Sequence, residues 1–319
     1  MTTPIAWLRD MDFSYGKLEP VTDRVRRLVC PNPSAFTFHG TGTYVVGRGR
    51  VIVVDPGPDM PDHIDTLLQA LGDERVEAIA VTHTHRDHSP GAALLQARCG
   101  AKTYGFGKHG EGRYEQDAEV EAGADVVFEP DERMKDGDTL VIGDAQLSAV
   151  HTPGHCHNHL CFAVGSEGTL LTGDHVMGWS TTVVSPPDGD MGDYLASLEL
   201  LLRRDDKVLV PAHGPPIVDP KPFVKALIDH RMQREAEIRA CMQQGVLRIV
   251  DMVGRMYGDV PAFLHPAAAR SVLAHMLHMH ARGEVICEGL ANVDMATIST
   301  TTTATRSMTI ITGLIVREP

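Results

Sequence analysis

Short apolar runs recur along this chain, and each ends on a polar or glycine-bearing turn. Val51-Ile52-Val53-Val54 leads into Asp55-Pro56-Gly57, and Val76-Glu77-Ala78-Ile79-Ala80-Val81 leads into Thr82. Runs of this length, bounded by turn residues, predict buried strands. Asp138-Thr139-Leu140-Val141-Ile142 and Gln146-Leu147-Ser148-Ala149-Val150 flank a short gap and predict a hairpin. Thr169-Leu170-Leu171-Thr172 and Lys207-Val208-Leu209-Val210 predict two further strands. Helices fall between them. One covers Pro61 to Ala70; another opens at Ser89-Pro90, with Ser89 as cap and proline in the first turn, and runs toward Cys99-Gly100. Tyr194, Leu195, Leu198, Leu201 and Leu202 share one face of a third, capped by Asp190 or Asp193. Strands separated by helices, in two similar halves, predict two sheets with helices outside.

The pattern changes near Ile217 to Pro222, where Pro215, Pro216, Pro220 and Pro222 cluster. Beyond it, helical periods cover about 222–244, 246–257 and 266–282, and Gly283 to Ile286 reads as a small strand. The chain therefore divides into 1–218, 219–290 and a threonine-rich tail, 291–319, in which Thr309 to Val316 favours a strand. Gly105 to Gly123 has no period and predicts a loop at a pocket mouth.

Composition narrows the class. With 319 residues, 43% of them hydrophobic, the chain buries a sizeable core and is not a disordered polymer. Met1 to Pro20 lacks the apolar centre of a signal peptide, and no run approaches the roughly 20 apolar residues of a membrane span. The six cysteines form no Cys-x-x-Cys pair and read as thiols of a reducing, cytoplasmic setting. The net charge of −13 falls on the first 220 residues, a poor match for a polyanion. The helix from Pro266 to Arg282 offers only Arg270 and Arg282 as fixed cations. Nucleic acid is thus disfavoured as a partner. The expected partner is a small-molecule substrate, with the second domain packed on the first or making a homodimer contact.

The chemistry concentrates at strand ends. Thr82-His83-Thr84-His85-Arg86-Asp87-His88 places three histidines and a carboxylate in one turn. His151, Asp174 and His213 each stand just past a predicted strand. Together they suit two divalent metals, zinc first, with iron or manganese also compatible with such donors. His83, His85 and His151 would hold one, Asp87, His88 and His213 the other, and Asp174 would bridge. Cys156 lies nearby but is set aside, since seven ligands are already in hand. His155 and His159 are expected to support the ligands as donors or to line the pocket, and His175 to support Asp174. His265, His275, His278 and His280, at helical spacing, read as a surface or packing face and not as a metal site.

His-x-His-x-Asp-His followed by His, Asp and His resembles the ligand pattern of the metallo-β-lactamase superfamily. A nearer resemblance, along most of the chain, is to its β-lactamase-like protein 2 branch. It rests on Asn32-Pro33, Gly40 to Gly47, His151-Thr152-Pro153-Gly154-His155, Gly173-Asp174, Asp193 to Leu198 and His230 to Glu235. Gly42 departs from the branch's usual asparagine, and Cys156 and His157 from its acidic or polar residues. The resemblance implies an α/β fold, a four-layer αββα sandwich, followed by a small winged-helix domain. It implies that Asp55 braces the metal loop and that His230, Arg231 and Arg234 face the catalytic domain; by its chemistry that cluster suits either an anionic substrate group, carboxylate or phosphate, or an interdomain salt bridge. The expected activity is hydrolysis of a small ester, thioester or lactone by a metal-bridged hydroxide, with Asp87 as ligand and orienting acceptor. The alternatives are an endoribonuclease acting on single-stranded RNA, and β-lactam hydrolysis as a side activity.

Overall fold

The structure, a computed structural model, describes residues 4–113, 123–288 and 315–317. The first half forms one sheet in sequence order: β1 (Glu19–Pro20), β2 (Val25–Val29), β3 (Gly42–Val46), β4 (Arg50–Val54), β5 (Arg75–Ala80), β6 (Lys102–Gly105) and β7 (Glu132–Arg133). The second half forms another, from β8 (Thr139–Ile142) through β9 (Ala145–His151), β10 (Leu160–Val164), β11 (Thr169–Gly173) and β12 (Val208–Pro211) to β13 (Ile217–Val218).

Strand alternation builds the layers. In β4, Ile52 and Val54 point inward to Leu147, Leu160 and Phe162, filling the space between the sheets. Val51 and Val53 point outward, where Ile64, Leu67 and Leu95 cover them. Those leucines and the isoleucine come from α1 (Pro61–Leu71) and α2 (Gly91–Cys99). They cross over between β4, β5 and β6, which pair in parallel. On the second sheet, Cys161, Leu170 and Leu209 face α3 (Met191–Arg203) and the start of α4 (Pro220–Gln243), through Tyr194, Leu198, Phe223 and Leu227. Helix, sheet, sheet, helix is the four-layer order expected.

Two local expectations separate here. Asp190 caps α3, its side chain accepting from the Asp193 amide. Ser89 does not cap α2; its hydroxyl bonds the His85 carbonyl and the Asp125 carboxylate instead, tying down the histidine-rich turn.

The second domain has its own core, in which Ile238 of α4 meets Ile249 and Met252 of α5 (Ile249–Met256) and Val272 and Met276 of α6 (His265–Ala281). The helix bounds match expectation within a few residues. At its centre Glu235, wholly buried, accepts from His278 Nδ1 at 2.8 Å and Arg282 Nη2 at 2.7 Å. Burial alone would raise this carboxyl, but the surrounding His275, His278 and Arg282 side chains prevail and hold it at about 2. The α6 histidines divide between packing and surface: His275 and His278 pack around Glu235, while the half-buried His265 and the exposed His280 bond nearby backbone carbonyls. The wing departs from the expected boundary. β14 (Ile286–Glu288) pairs antiparallel with β15 (Ile315–Arg317), so the tail returns to complete the domain. Residues 289–314 lie outside those described.

Candidate metal centre

Every candidate side chain is presented at one end of the two sheets, where strands stop and turns begin. Asp55 follows β4 and the His83–His88 turn follows β5, while Asp174 and His213 follow β11 and β12. Asp55 sits at φ +49° and spends its carboxylate on the turn. One oxygen accepts from the Thr82 amide at 2.7 Å; the other accepts from the Thr82 hydroxyl and meets His88 Nδ1 at 2.9 Å. With Nδ1 so fixed, His88 aims Nε2 into the site. This is the bracing position the resemblance implied for Asp55.

Six of the seven expected ligands converge. His83 Nε2 lies 3.0 Å from His85 Nδ1. Asp87 Oδ2 lies 3.3 Å from His88 Nε2 and 3.2 Å from His213 Nε2. Asp174 stands between the groups, with Oδ1 3.2 Å from His213 Nε2 and Oδ2 3.7 Å from His155 Nε2.

The seventh is a correction. His151 ends β9 with its ring stacked on Phe106 and Nε2 against the His157 carbonyl, away from the cluster. His155 takes the place assigned to it, with Nε2 3.0 Å from His85 Nδ1. The backbone explains the exchange. Gly154, at φ +133°, passes so close to α3 that a Cβ would lie 2.3 Å from Tyr194 Cα, and the turn swings back into the site. His155 is therefore part of the cluster and not only a pocket wall. His159 takes the supporting position of its two expected roles and does not line the pocket: it is fully buried behind the site, meeting Thr152 Oγ1 at 2.9 Å and accepting from the Asp174 amide at 3.3 Å. His175 is buried against Tyr194 one residue beyond Asp174.

The donor set fits divalent metal. His88 Nε2, His213 Nε2 and Asp174 Oδ1 are buried and close, yet none makes a hydrogen bond. Atoms so placed aim at a common centre and not at each other. The carboxylates dominate the electrostatics. Burial disfavours a charged His88, but Asp87 and Asp174 outweigh it and raise the imidazole well above its ordinary range. The same contest brings His213 up to about 10. His83 goes the other way, held neutral by burial and by neighbouring imidazoles, with its lone pair available. Three overlapping donor groups result: His83, His85, His155 and Cys156; His83, His88 and Asp174; Asp87, His88 and His213. Cys156, set aside on sequence, thus stands within reach of the first.

Two contributors escaped the sequence. Thr41 donates to Asp87 Oδ2 at 3.4 Å and is itself held by Asn32. His109, buried, meets Thr84 Oγ1 at 3.0 Å beneath His85. The first lies just ahead of β3 in a glycine-rich run; the second sits in a segment without periodicity, and nothing local marks it.

A cavity of about 350 Å³ opens over the cluster, floored by His85, Asp87, His155 and Asp174 and walled by Phe36, Met177, Trp179 and Val183. Arg270 of α6 reaches it as well. Arg282, the other cation of that helix, is engaged by Glu235 and Glu284. His230, Arg231 and Arg234 do come together, in an adjoining cavity of about 450 Å³. Among the described residues no helix is long and apolar enough to cross a membrane.

Comparison with known proteins agrees with this architecture. Residues 37–213 match the metallo-beta-lactamase superfamily, and residues 249–291 match the beta-lactamase associated winged helix domain. A beta-lactamase-like protein 2 homolog of Drosophila melanogaster is 32% identical, over 83% of this chain and 90% of that protein. An atrochrysone carboxyl ACP thioesterase of Aspergillus chevalieri is 28% identical, over 85% of this chain and 87% of that protein. A beta-lactamase domain protein from Burkholderia ambifaria superposes with a TM-score of 0.76 at 20% identity, covering 97% of this chain and 96% of that one. Its two matched domains and its convergent histidine–aspartate cluster make this chain a member of the metallo-β-lactamase superfamily of hydrolases, one that carries the associated winged helix.

Proposed function

We propose that the chain is a dinuclear, zinc-dependent hydrolase of small esters, thioesters and lactones, with thioesters its preferred class. The observation that carries this reading is the convergence of seven donors at one site, four of which floor the cavity above it. His83, His85 and His155 would hold one ion and Asp87, His88 and His213 the other, with Asp174 reaching both. Bound there, the ions would supply Lewis acidity and a water acidified from about 15.7 toward about 7. The protein does the rest. Asp87 stays anionic because His88 and His213 prevail over its burial, so its carboxylate accepts from the attacking water and orients it. Thr41 fixes that carboxylate. Asp55, through His88, keeps the turn from shifting. The wall of Phe36, Met177, Trp179 and Val183 seats an acyl chain and excludes bulk water.

Thioesters come first because the wall beside the cluster is apolar, and because relatives named as thioesterases align along most of their own length. The test is a metal count on purified protein, with a panel of a thioester, a lactone, a β-lactam, a phosphodiester and single-stranded RNA. About two ions per chain with thioester turnover is the expected result. Cleavage of RNA alone, or protein that binds no metal, would overturn it.

A further inference from the structure

The second cavity lies between the two domains and adjoins the first. They share Ala35, Phe36, Trp179, Ser180, Thr181 and Val183 as common walls. The two differ in charge. The first is floored by carboxylates; the second is lined by Arg9, Arg231 and Arg234, with Asp259 its one lining carboxylate among the described residues. In a chain of net charge −13 this concentration of cations is out of character.

The arginines are not consumed by ion pairs across the domain boundary. Arg231 is 2% exposed, lies over the Tyr194 ring and donates to the Thr182 carbonyl. No carboxylate pairs with it among the described residues, and its Nε, though buried, has no hydrogen-bond partner. Arg234 stacks on Tyr257 and bonds Glu237 one turn along its own helix; its buried Nε is likewise unpartnered. His230 Nδ1, at the same wall, is buried and unpartnered too. Arg234 thus has a counter-ion in Glu237, whereas Arg231 is a buried guanidinium without one, which is costly unless an anion completes it. Planar forks set beside one another suit the oxygens of a phosphate or carboxylate.

We propose that this cavity is a subsite for an anionic group on the substrate's leaving arm, held by Arg231, Arg234 and Arg9 while the scissile carbonyl lies over the metal cluster. The inference rests on the hydrolase reading and specifies its substrate: a thioester whose thiol arm carries phosphate or carboxylate some distance from sulfur. It also gives the winged-helix domain a task, because α4 supplies two of the arginines and α6 presents Arg270 where the cavities meet.

The chain holds two tryptophans, Trp7 and Trp179, and both line this cavity. Intrinsic fluorescence therefore reports its occupancy without any turnover. The probes are pantetheine, 4′-phosphopantetheine and S-methylglutathione, titrated into the full chain and into Arg234→Gln and Arg9→Gln variants. Arg231 is left intact because it also packs the domain interface. We expect one anionic probe to bind about tenfold or more tighter than neutral pantetheine, and each variant to lose most of that margin. Preference for the phosphate names a phosphorylated arm; preference for the glutathione derivative names a carboxylate. Equal binding of all three, no fluorescence response, or a margin the variants leave untouched would overturn the subsite. Thioester turnover with no anion preference would sink this inference alone. Anion binding without turnover would sink the hydrolase reading instead.

Discussion

At the scale of single residues, the exchange of His151 for His155 is the most informative result. The expectation that ligands stand directly after strands holds for Asp174 and His213 because β11 and β12 stop beside the site. It fails at β9, where the strand carries His151 past the cluster and Gly154 turns the chain back. The signal was present in the Thr-Pro-Gly run before His155, but reading it needs the position of α3, a tertiary fact. Two substitutions separate the assignments. His155→Ala should lower metal per chain and reduce turnover at least a hundredfold, whereas His151→Ala should leave both near the wild-type values. Metal content measured on the two purified variants decides it. The bracing role of Asp55 was legible only through the family resemblance, because an Asp-Pro-Gly turn by itself reads equally as a turn or cap residue; Thr41 was not legible, because threonine before a strand has many uses.

At the scale of elements, α4 joins the two halves of the protein. Its first turns pack Phe223 and Leu227 on the second sheet, its middle presents Arg231 and Arg234 to the interdomain cavity, and its last turns enter the winged-helix core through Ile238. Its span was legible from periodicity. The burial of Glu235 was not: a glutamate amid arginines on a helix reads as solvated, and its partners His278 and Arg282 lie 43 and 47 residues later. The carboxyl is held near 2, below its unfolded range, so its contribution is complete above about pH 4.5 and is lost as pH falls toward 2. Glu235→Gln should lower stability by about 3 kcal/mol near neutrality. The gap to wild type should close below about pH 4.5, as read by urea unfolding at several pH values. A gap independent of pH would mean the cluster packs by shape and not by charge.

At the scale of the whole molecule, the four layers and the helical second domain followed from pattern because burial on both sides of a sheet leaves few arrangements. The pairing of the two wing strands did not, since residues 289–314 separate β14 from β15 in the sequence. The centre itself is assembled across a seam. His83, His85, Asp87 and His88 come from the first sheet's turns, and His155, Asp174 and His213 from the second's. An ion shared by these donors is a fastener as well as a reagent: no unfolded chain can offer the same set, so its binding energy adds to that of the fold. Free zinc at a hundred times its dissociation constant should stabilise the protein by about 2.7 kcal/mol per site, and chelation should take the same amount away. Thermal melts across a buffered zinc series would register this as a steadily climbing midpoint. In a cell, the supply of metal would then set how much of this protein stays folded, before it sets how fast any of it works.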